Sequence, residues 1–421
     1  MIIQGHSAGL DATISLKDAS LAISLGEQAI IVRDRAGRLY SLYQNGHHHR
    51  RSLNGQILQK WQTASGRQRR WLEPIEADAL IDFTSQRFRQ VLDALRRPDW
   101  NWTTPPDHPA ELNEVLAAIE LGARFDSVTA QADAAQFASV YSPIGILPPD
   151  QYLALVLQAT DGCSFNTCTF CDLYHQPFRI KTPDEFRAHL REVRAYLGDS
   201  LRLRNRSIFL GAANALAIPM PRLRPIFDII AAEFPPSPLP LSPRSALDAS
   251  AGAEKGSEGG IYAFLDAFTG TRKDIDDYRI LAERGLRRVY IGLESGHDPL
   301  LEFVRKPGHA VDAIETVRAI KAAGVNVGVI VMIGLGGDRF SAGHIVDTLA
   351  VLNAMPLGAG DLIYFSDLIE EPGTAYPALA LNQSIRALTS EERSAQRTAI
   401  RHGLRVSGVK ISNYDVREFV Y

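Results

Sequence analysis

The chain predicts an α/β fold built on a parallel sheet, preceded by a separate N-terminal α+β region. Three observations lead there. From residue 151 onward, short apolar runs alternate six times with stretches of helical periodicity. The runs are continuously apolar rather than alternating, the pattern of strands buried on both faces. Near residue 150 the texture changes, as hairpin-like punctuation gives way to strand–helix units, which pack as a parallel sheet with helices outside it.

Residues 1–150 come first. Ala29-Ile30-Ile31-Val32 and Leu39-Tyr40-Ser41-Leu42-Tyr43 flank Asp34-Arg35-Ala36-Gly37, the layout of a hairpin. Phe88, Val91, Leu92 and Leu95 recur at helical spacing, as do Leu112, Val115 and Ile119. Trp61, Trp71, Trp100 and Trp102 all lie here, and Arg50, Arg51, Lys60, Arg67, Arg69 and Arg70 interleave with the first two. Basic residues among aromatics suit RNA, but a charge run is more often a solvated face, and that is the expectation here. His47-His48-His49 is expected on a solvated loop, since adjacent side chains rarely converge on a metal.

Residues 151–370 carry the alternation. Tyr152-Leu153-Ala154-Leu155-Val156-Leu157 is the first strand run. Thr182-Pro183-Asp184-Glu185 then supplies an N-cap, a proline at the first helical position and a capping glutamate. Phe186, Leu190, Val193 and Leu197 make the buried face, and Gly198 the stop. Runs beginning at Ser207, Ile261, Val289, Val325 and Leu362 repeat the theme. The helix after Val325–Ile333 is expected to be capped by Ser341, with Ile345, Leu349 and Leu352 inward. Residues 235–260 interrupt this order. Crowded with Pro, Ser, Ala and Gly, they read as a flexible insertion. Residues 371–421 form a C-terminal extension with one amphipathic helix and an ending, Ile411 to Val416, that reads as a further strand.

A chain of 421 residues exceeds one typical domain. Its 45% hydrophobic and 22% charged content is ordinary for a globular protein, and a net charge of −3 points to no nucleic-acid or membrane surface as a whole. The start, Met1-Ile2-Ile3-Gln4-Gly5-His6, shows no secretory pattern. The apolar stretch Val325–Leu335 is about half of what a bilayer span needs. The expected compartment is the cytoplasm, without membrane contact.

All three cysteines fall in Asp161-Gly162-Cys163-Ser164-Phe165-Asn166-Thr167-Cys168-Thr169-Phe170-Cys171-Asp172-Leu173. Thiolates so close suit one soft metal centre, an iron–sulfur cluster or zinc. An odd count argues against a disulfide framework. Zinc would take His175 as a fourth ligand. Three cysteines alone leave a position open, and open positions are where metal chemistry occurs.

At these residues the chain resembles the radical S-adenosylmethionine (SAM) superfamily, and in particular a poorly characterised, Fe–S oxidoreductase-like branch that reads Gly-Cys-(four residues)-Cys-Thr-Phe-Cys. The superfamily's commonest motif has three residues in the first gap. The resemblance implies a [4Fe–4S] cluster on Cys163, Cys168 and Cys171, with Phe170 in the motif's aromatic place. It implies SAM on the fourth iron, cleaved on reduction to methionine and a 5′-deoxyadenosyl radical that abstracts hydrogen from a substrate. It also implies a partial (β/α)6 barrel with its site at the carboxyl ends of the strands.

Those ends supply the remaining candidates. Ile291-Gly292-Leu293-Glu294-Ser295-Gly296 is similar to a Gly-Leu-Glu-Ser-Gly segment of the branch, which implies SAM contacts for Glu294 and Ser295 and makes Glu294 the catalytic candidate. Ile333-Gly334-Leu335-Gly336-Gly337 resembles the stretch over the adenine, with Gly334 and Gly336 in contact. Phe209 to Asn214 occupies the place that meets the SAM ammonium. Related sequences often carry an acid there; this one has Ala212 and Ala213, leaving Asn214. Arg305 and Lys306 are either partners of the SAM carboxylate or a solvated pair. The implied partners are a reductant such as flavodoxin or ferredoxin and a small-molecule substrate. Two other readings stay open: an RNA-modifying radical SAM protein using the Trp/Arg-rich front, and a non-catalytic iron–sulfur or zinc protein.

Overall fold

The structure, a computed structural model, describes all residues except Ala8, Gln28, Ser65, His175, Asn205, Arg206, 235–258, Thr271 and Pro372. The expected insertion therefore lies outside the described residues, apart from Gly259 and Gly260, and so does His175. The chain forms two compact units. One comprises Met1–Ser142, Arg191–Asn205 and Val420–Tyr421; the other comprises Pro143–Leu190 and Arg206–Phe419.

In the first unit, one antiparallel sheet holds nine strands: β1 (Ile2–Ser7), β2 (Leu10–Leu16), β3 (Ser20–Leu25), β4 (Ala29–Asp34), β5 (Leu39–Gln44), β6 (His47–Arg51), β7 (Ile57–Thr63), β8 (Gly66–Trp71) and β9 (Asn101–Thr104). Their order is 8-7-6-5-4-3-2-1-9, a meander with β9 added beside β1. Connections of two to five residues do this, most tightly Asn45-Gly46, where φ is +49° and +77°, the mirror-image turn that matches strand twist. The helix Pro74–Leu95 lays Ile81, Phe88, Val91 and Leu92 into a core shared with Ile3, Ile14, Ile23, Ile31 and Leu42.

Two expectations fail here. His47, His48 and His49 are not a loop; they pair on both sides, with β5 and β7. Arg50 and Arg51 are not solvated. Both are buried, Arg50 over the Tyr40 ring and Arg51 paired with Asp133 at 3.0 Å. Their strand runs through the interior, so the charges are carried inward and met there. Arg33, fully buried, lies near the Phe88 and Phe125 rings, and burial lowers its guanidinium to about 9.

The second unit is the parallel α/β half. Its sheet has seven strands in the order β10 (Leu155–Gln158), β13 (Ile208–Gly211), β14 (Ile261–Leu265), β15 (Leu286–Glu294), β16 (Asn326–Ile333), β17 (Leu362–Asp367) and β18 (Lys410–Tyr414), and every pair is parallel. Six strands were expected from the alternation, and the C-terminal ending adds the seventh. The first strand starts later than the apolar run, because Pro149–Gln151 forms a helical turn before it. Thr182 and Glu185 make the expected reciprocal cap: the Glu185 carboxylate accepts from Thr182 N–H at 2.7 Å, and Thr182 Oγ1 accepts in return at 3.2 Å.

One helix differs in start and in face. It spans Gly337–Ala354, with Gly336 before it at φ +77°, so Ser341 lies inside it rather than at its cap. The fully buried positions are His344, Thr348 and Leu352; Ile345 and Leu349 are only half-buried. No described helix is long and apolar enough to cross a membrane.

Toward the amino-terminal ends of the strands, one carboxylate joins three of them. Asp150, just ahead of β10, accepts from Arg288 at 2.7 Å and Tyr290 on β15, and from Tyr364 on β17 at 2.8 Å. Side-chain exposure is 8% for Asp150 and 12% for Arg288, so neither charge has water to fall back on. Asp150→Ala is expected to cost about 3–5 kcal/mol, because it strands a buried guanidinium. Tyr364→Phe removes one hydrogen bond and is expected to cost about 1 kcal/mol. Denaturant midpoints of the two variants against wild type check the ranking.

Candidate functional site: a three-thiol loop at the carboxyl edge of the sheet

The loop 162–178 leaves the sheet after β10. Its base is closed by an antiparallel clasp between β11 (Thr160–Asp161) and β12 (Arg179–Ile180). Asp161 accepts from Arg179 at 2.9 Å and from Lys181 at 2.7 Å. Gly162 opens the loop at φ +68°, and a Cβ there would lie 2.2 Å from the Gln176 carbonyl oxygen. Only glycine allows the returning chain so close.

The two residues between Cys168 and Cys171 fasten the tip. Thr169 donates to the Val304 carbonyl twice, from N–H at 3.0 Å and from Oγ1 at 3.3 Å, and its own carbonyl accepts from Tyr376 N–H at 2.9 Å. Phe170 packs on the apolar cluster of Leu300, Val304, Leu335 and Tyr376. Thr167 Oγ1 donates to the Arg305 carbonyl at 3.2 Å. Thr and Phe in this stretch are therefore the fastening, and they leave the flanking thiols to do something else.

The thiols of Cys163, Cys168 and Cys171 are half-buried and form no disulfide. Burial pushes Cys168 up to about 11 and also raises Cys171; Lys306 pulls both the other way. Cys163, Cys171 and Glu294 add to the rise of Cys168, so the three thiols and this carboxylate lie within one another's field. Among the described residues, no three His, Cys, Asp or Glu side chains converge on a single ion position. A cubane does not require that, since each thiolate meets a different iron.

Lys306 stands in the middle of this group and is no solvated residue. Burial alone would depress its ammonium, but Glu294, Cys168, Asp266 and Cys163 outweigh it and hold the group above its usual value. Arg305 beside it is exposed, with φ +55°. Glu294 ends β15 at φ +60°, buried, with an oxygen 3.7 Å from the Lys306 ammonium. Burial raises its carboxyl and Lys306 opposes the rise. Gly292 makes the room: a Cβ there would sit 2.5 Å from Glu294 Oε1.

The other candidates divide. The Asn214 amide donates to Ser164 Oγ at 2.8 Å, to Thr269 Oγ1 at 3.2 Å and to Asp266. Asp266, just past β14, is thus the acid at this edge that the stretch from Phe209 to Asn214 lacks. Scanning for acids one strand further along would have found it. Ser295 turns its hydroxyl to His344, away from the thiols' immediate partners. The N–H groups of Gly334 and Gly336 are already taken, by Gln396 Oε1 at 2.8 Å and the Tyr376 hydroxyl at 2.9 Å. Gln396 and Tyr376 come from late helices, and no spacing in the sequence links them to these glycines.

The sequence model of the Radical SAM superfamily matches residues 238–349, a stretch that begins after the cysteine loop and includes β14, β15 and β16. No curated protein matches the chain. Among solved structures, the chain is similar to the radical SAM methyltransferase TsrM from Kitasatospora setae (14% identity, TM-score 0.39, covering 55% of this chain and 39% of that one). It is also similar to HydG, a maturase of the [FeFe]-hydrogenase (15%, 0.38, 78% and 62%), and to methylornithine synthase (11%, 0.38, 78% and 82%). The chain spans less than two thirds of the length of the first two of these. The family match lies on the parallel half, and over residues 238–349 the chain is similar to the Radical SAM superfamily.

Proposed function

We propose that Cys163, Cys168 and Cys171 hold the [4Fe–4S] cluster and that the carboxyl edge around them binds SAM for radical chemistry on a small-molecule substrate. The observation that carries this is the fastened loop with three half-buried thiols, set beside Lys306, Glu294 and Asp266 at the carboxyl edge of the sheet. Bound there, the cluster and SAM would supply reductive cleavage to a 5′-deoxyadenosyl radical and hydrogen abstraction.

The chain's own residues have definable parts. Cys168 and Cys171, whose thiols burial pushes up, would give up protons on taking iron. Lys306 offsets the negative charge that three thiolates bring. The Asp266 and Glu294 carboxylates face a ligand that carries an ammonium, while Asn214 and Thr269 fix the first of them. Half-burial of the thiols limits water at the reacting centre. Radical SAM enzymes need a reductant and a substrate; flavodoxin or ferredoxin suits the first role.

Two measurements check this. Anaerobic reconstitution is expected to give about four iron and four sulfide per chain, and dithionite with SAM to give 5′-deoxyadenosine. Cys163→Ala, Cys168→Ala or Cys171→Ala is expected to lose both; stoichiometric zinc without iron would overturn the assignment. Glu294→Gln keeps shape and removes charge, so SAM affinity is expected to fall by roughly ten- to hundredfold with iron content intact. Lost iron in that variant would make Glu294 a structural residue instead.

A further inference from the structure

Glu294 occupies backbone that its type avoids. Its φ is +60°, and Ser295 N–H donates back to the Leu293 carbonyl at 2.7 Å, closing a three-residue turn with Glu294 at the centre. The ladder to β16 slips at this point, pairing Gly292 with Ile330 and Glu294 with Val331. This positive-φ turn is rare and strained, and such geometry persists only where surrounding contacts over-determine it. The upstream side is held by β16. The downstream side must be held by something else.

It is held by one helix. Ser295 Oγ lies 2.7 Å from His344 Nδ1 and accepts from His297 N–H at 3.0 Å. Gly296 N–H donates to Thr348 Oγ1 at 2.9 Å, and His297 Nδ1 lies 2.6 Å from Asp347. Gly296 sits against the helix backbone itself, since a Cβ there would be 2.5 Å from the Asp347 carbonyl oxygen. His344, Asp347 and Thr348 share one face of Gly337–Ala354 by their spacing, and the residues after Glu294 are clamped along that face.

His344 is the centre of the clamp. It is fully buried, and burial with nearby His297 lowers its imidazole to about 4, so it is neutral at ordinary pH. Two hydroxyls approach its Nδ1, from Ser295 and, at 3.3 Å, from Thr348. Either tautomer of His344 makes the bond to Ser295 through Nδ1, which leaves Nε2 as the ring's other polar atom. That nitrogen has no partner among the described residues. A polar side chain buried with half its capacity unmet earns no stability from that half, so its use lies in the other half.

We propose that His344 is a positioning residue, which through Ser295 and Thr348 holds the strained Glu294 turn so that its carboxylate faces SAM. The proposal rests on the reading that Glu294 meets SAM. The test is a double-mutant cycle on reconstituted full-length protein, with SAM affinity measured by equilibrium binding and iron counted on the same samples. His344→Ala is expected to weaken SAM by about tenfold with iron unchanged. His344→Asn, which places an amide able to accept or donate where Nδ1 stood, is expected to restore affinity to within about threefold of wild type. Ser295→Ala, which opens no large cavity, is expected to weaken SAM in the same direction should His344→Ala fail to fold. In a Glu294→Gln background, His344→Ala is expected to add less than about twofold. Full multiplication of the two effects, or an effective Glu294→Gln beside an inert His344→Ala or Ser295→Ala, would overturn the clamp alone. An inert Glu294→Gln would overturn the reading of Glu294 and the clamp with it.

Discussion

A buried ammonium organises the carboxyl edge of the parallel sheet. Lys306 has a side-chain exposure of 13%, and taking such a charge out of water costs several kcal/mol unless partners meet it. Its partners come from separate connections: the thiols from the loop after β10, Asp266 from the end of β14 and Glu294 from the end of β15. A parallel sheet delivers all of these to one side, because every strand ends there. The fold is thus what allows the cation, and the cation in turn requires acidic or ionisable groups around it. Two carboxylates without Lys306 nearby would repel, and the Cys168 and Cys171 thiols would be harder still to deprotonate.

The same logic runs through the first unit with opposite sign. Arg38 and Arg51 share Asp133 inside that unit, and Asp34 accepts from Ser200 as well as from backbone N–H groups. In both units these buried charges are shared among several groups, which favours specific arrangement over raw stability.

How much of this was legible in the sequence depends on what each feature signals. The parallel strands were, because Val289–Leu293 and Val325–Ile333 are short, largely apolar runs flanked by glycines and by helical stretches. The thiol loop was, because three cysteines in nine residues are rare. The nine-stranded meander was mostly missed. Its strands are short, several carry basic or histidine residues, and Asn45-Gly46 and Asn54-Gly55 are its sharpest turn signals. His344 and Thr348 were missed for a different reason. Helical periodicity marks apolar stripes, and this stripe is polar because its partners are the Ser295 hydroxyl and the Gly296 N–H. Asp266 lay one strand away from where an acid was sought, and only the pairing of β13 with β14 shows that the two ends are neighbours.

The clasp of β11 and β12 has a consequence for the energetics of metal uptake. Closing a loop costs chain entropy, and the constant part of that cost dominates over the length. Here the closure is made by protein atoms alone: the clasp at the base, and Thr169 with Thr167 at the tip. In metal-folded domains the ion's binding energy is largely consumed in assembling its own ligands. A loop assembled beforehand would leave that energy for the affinity of the cluster proposed there, and losing the cluster would not by itself open the clasp.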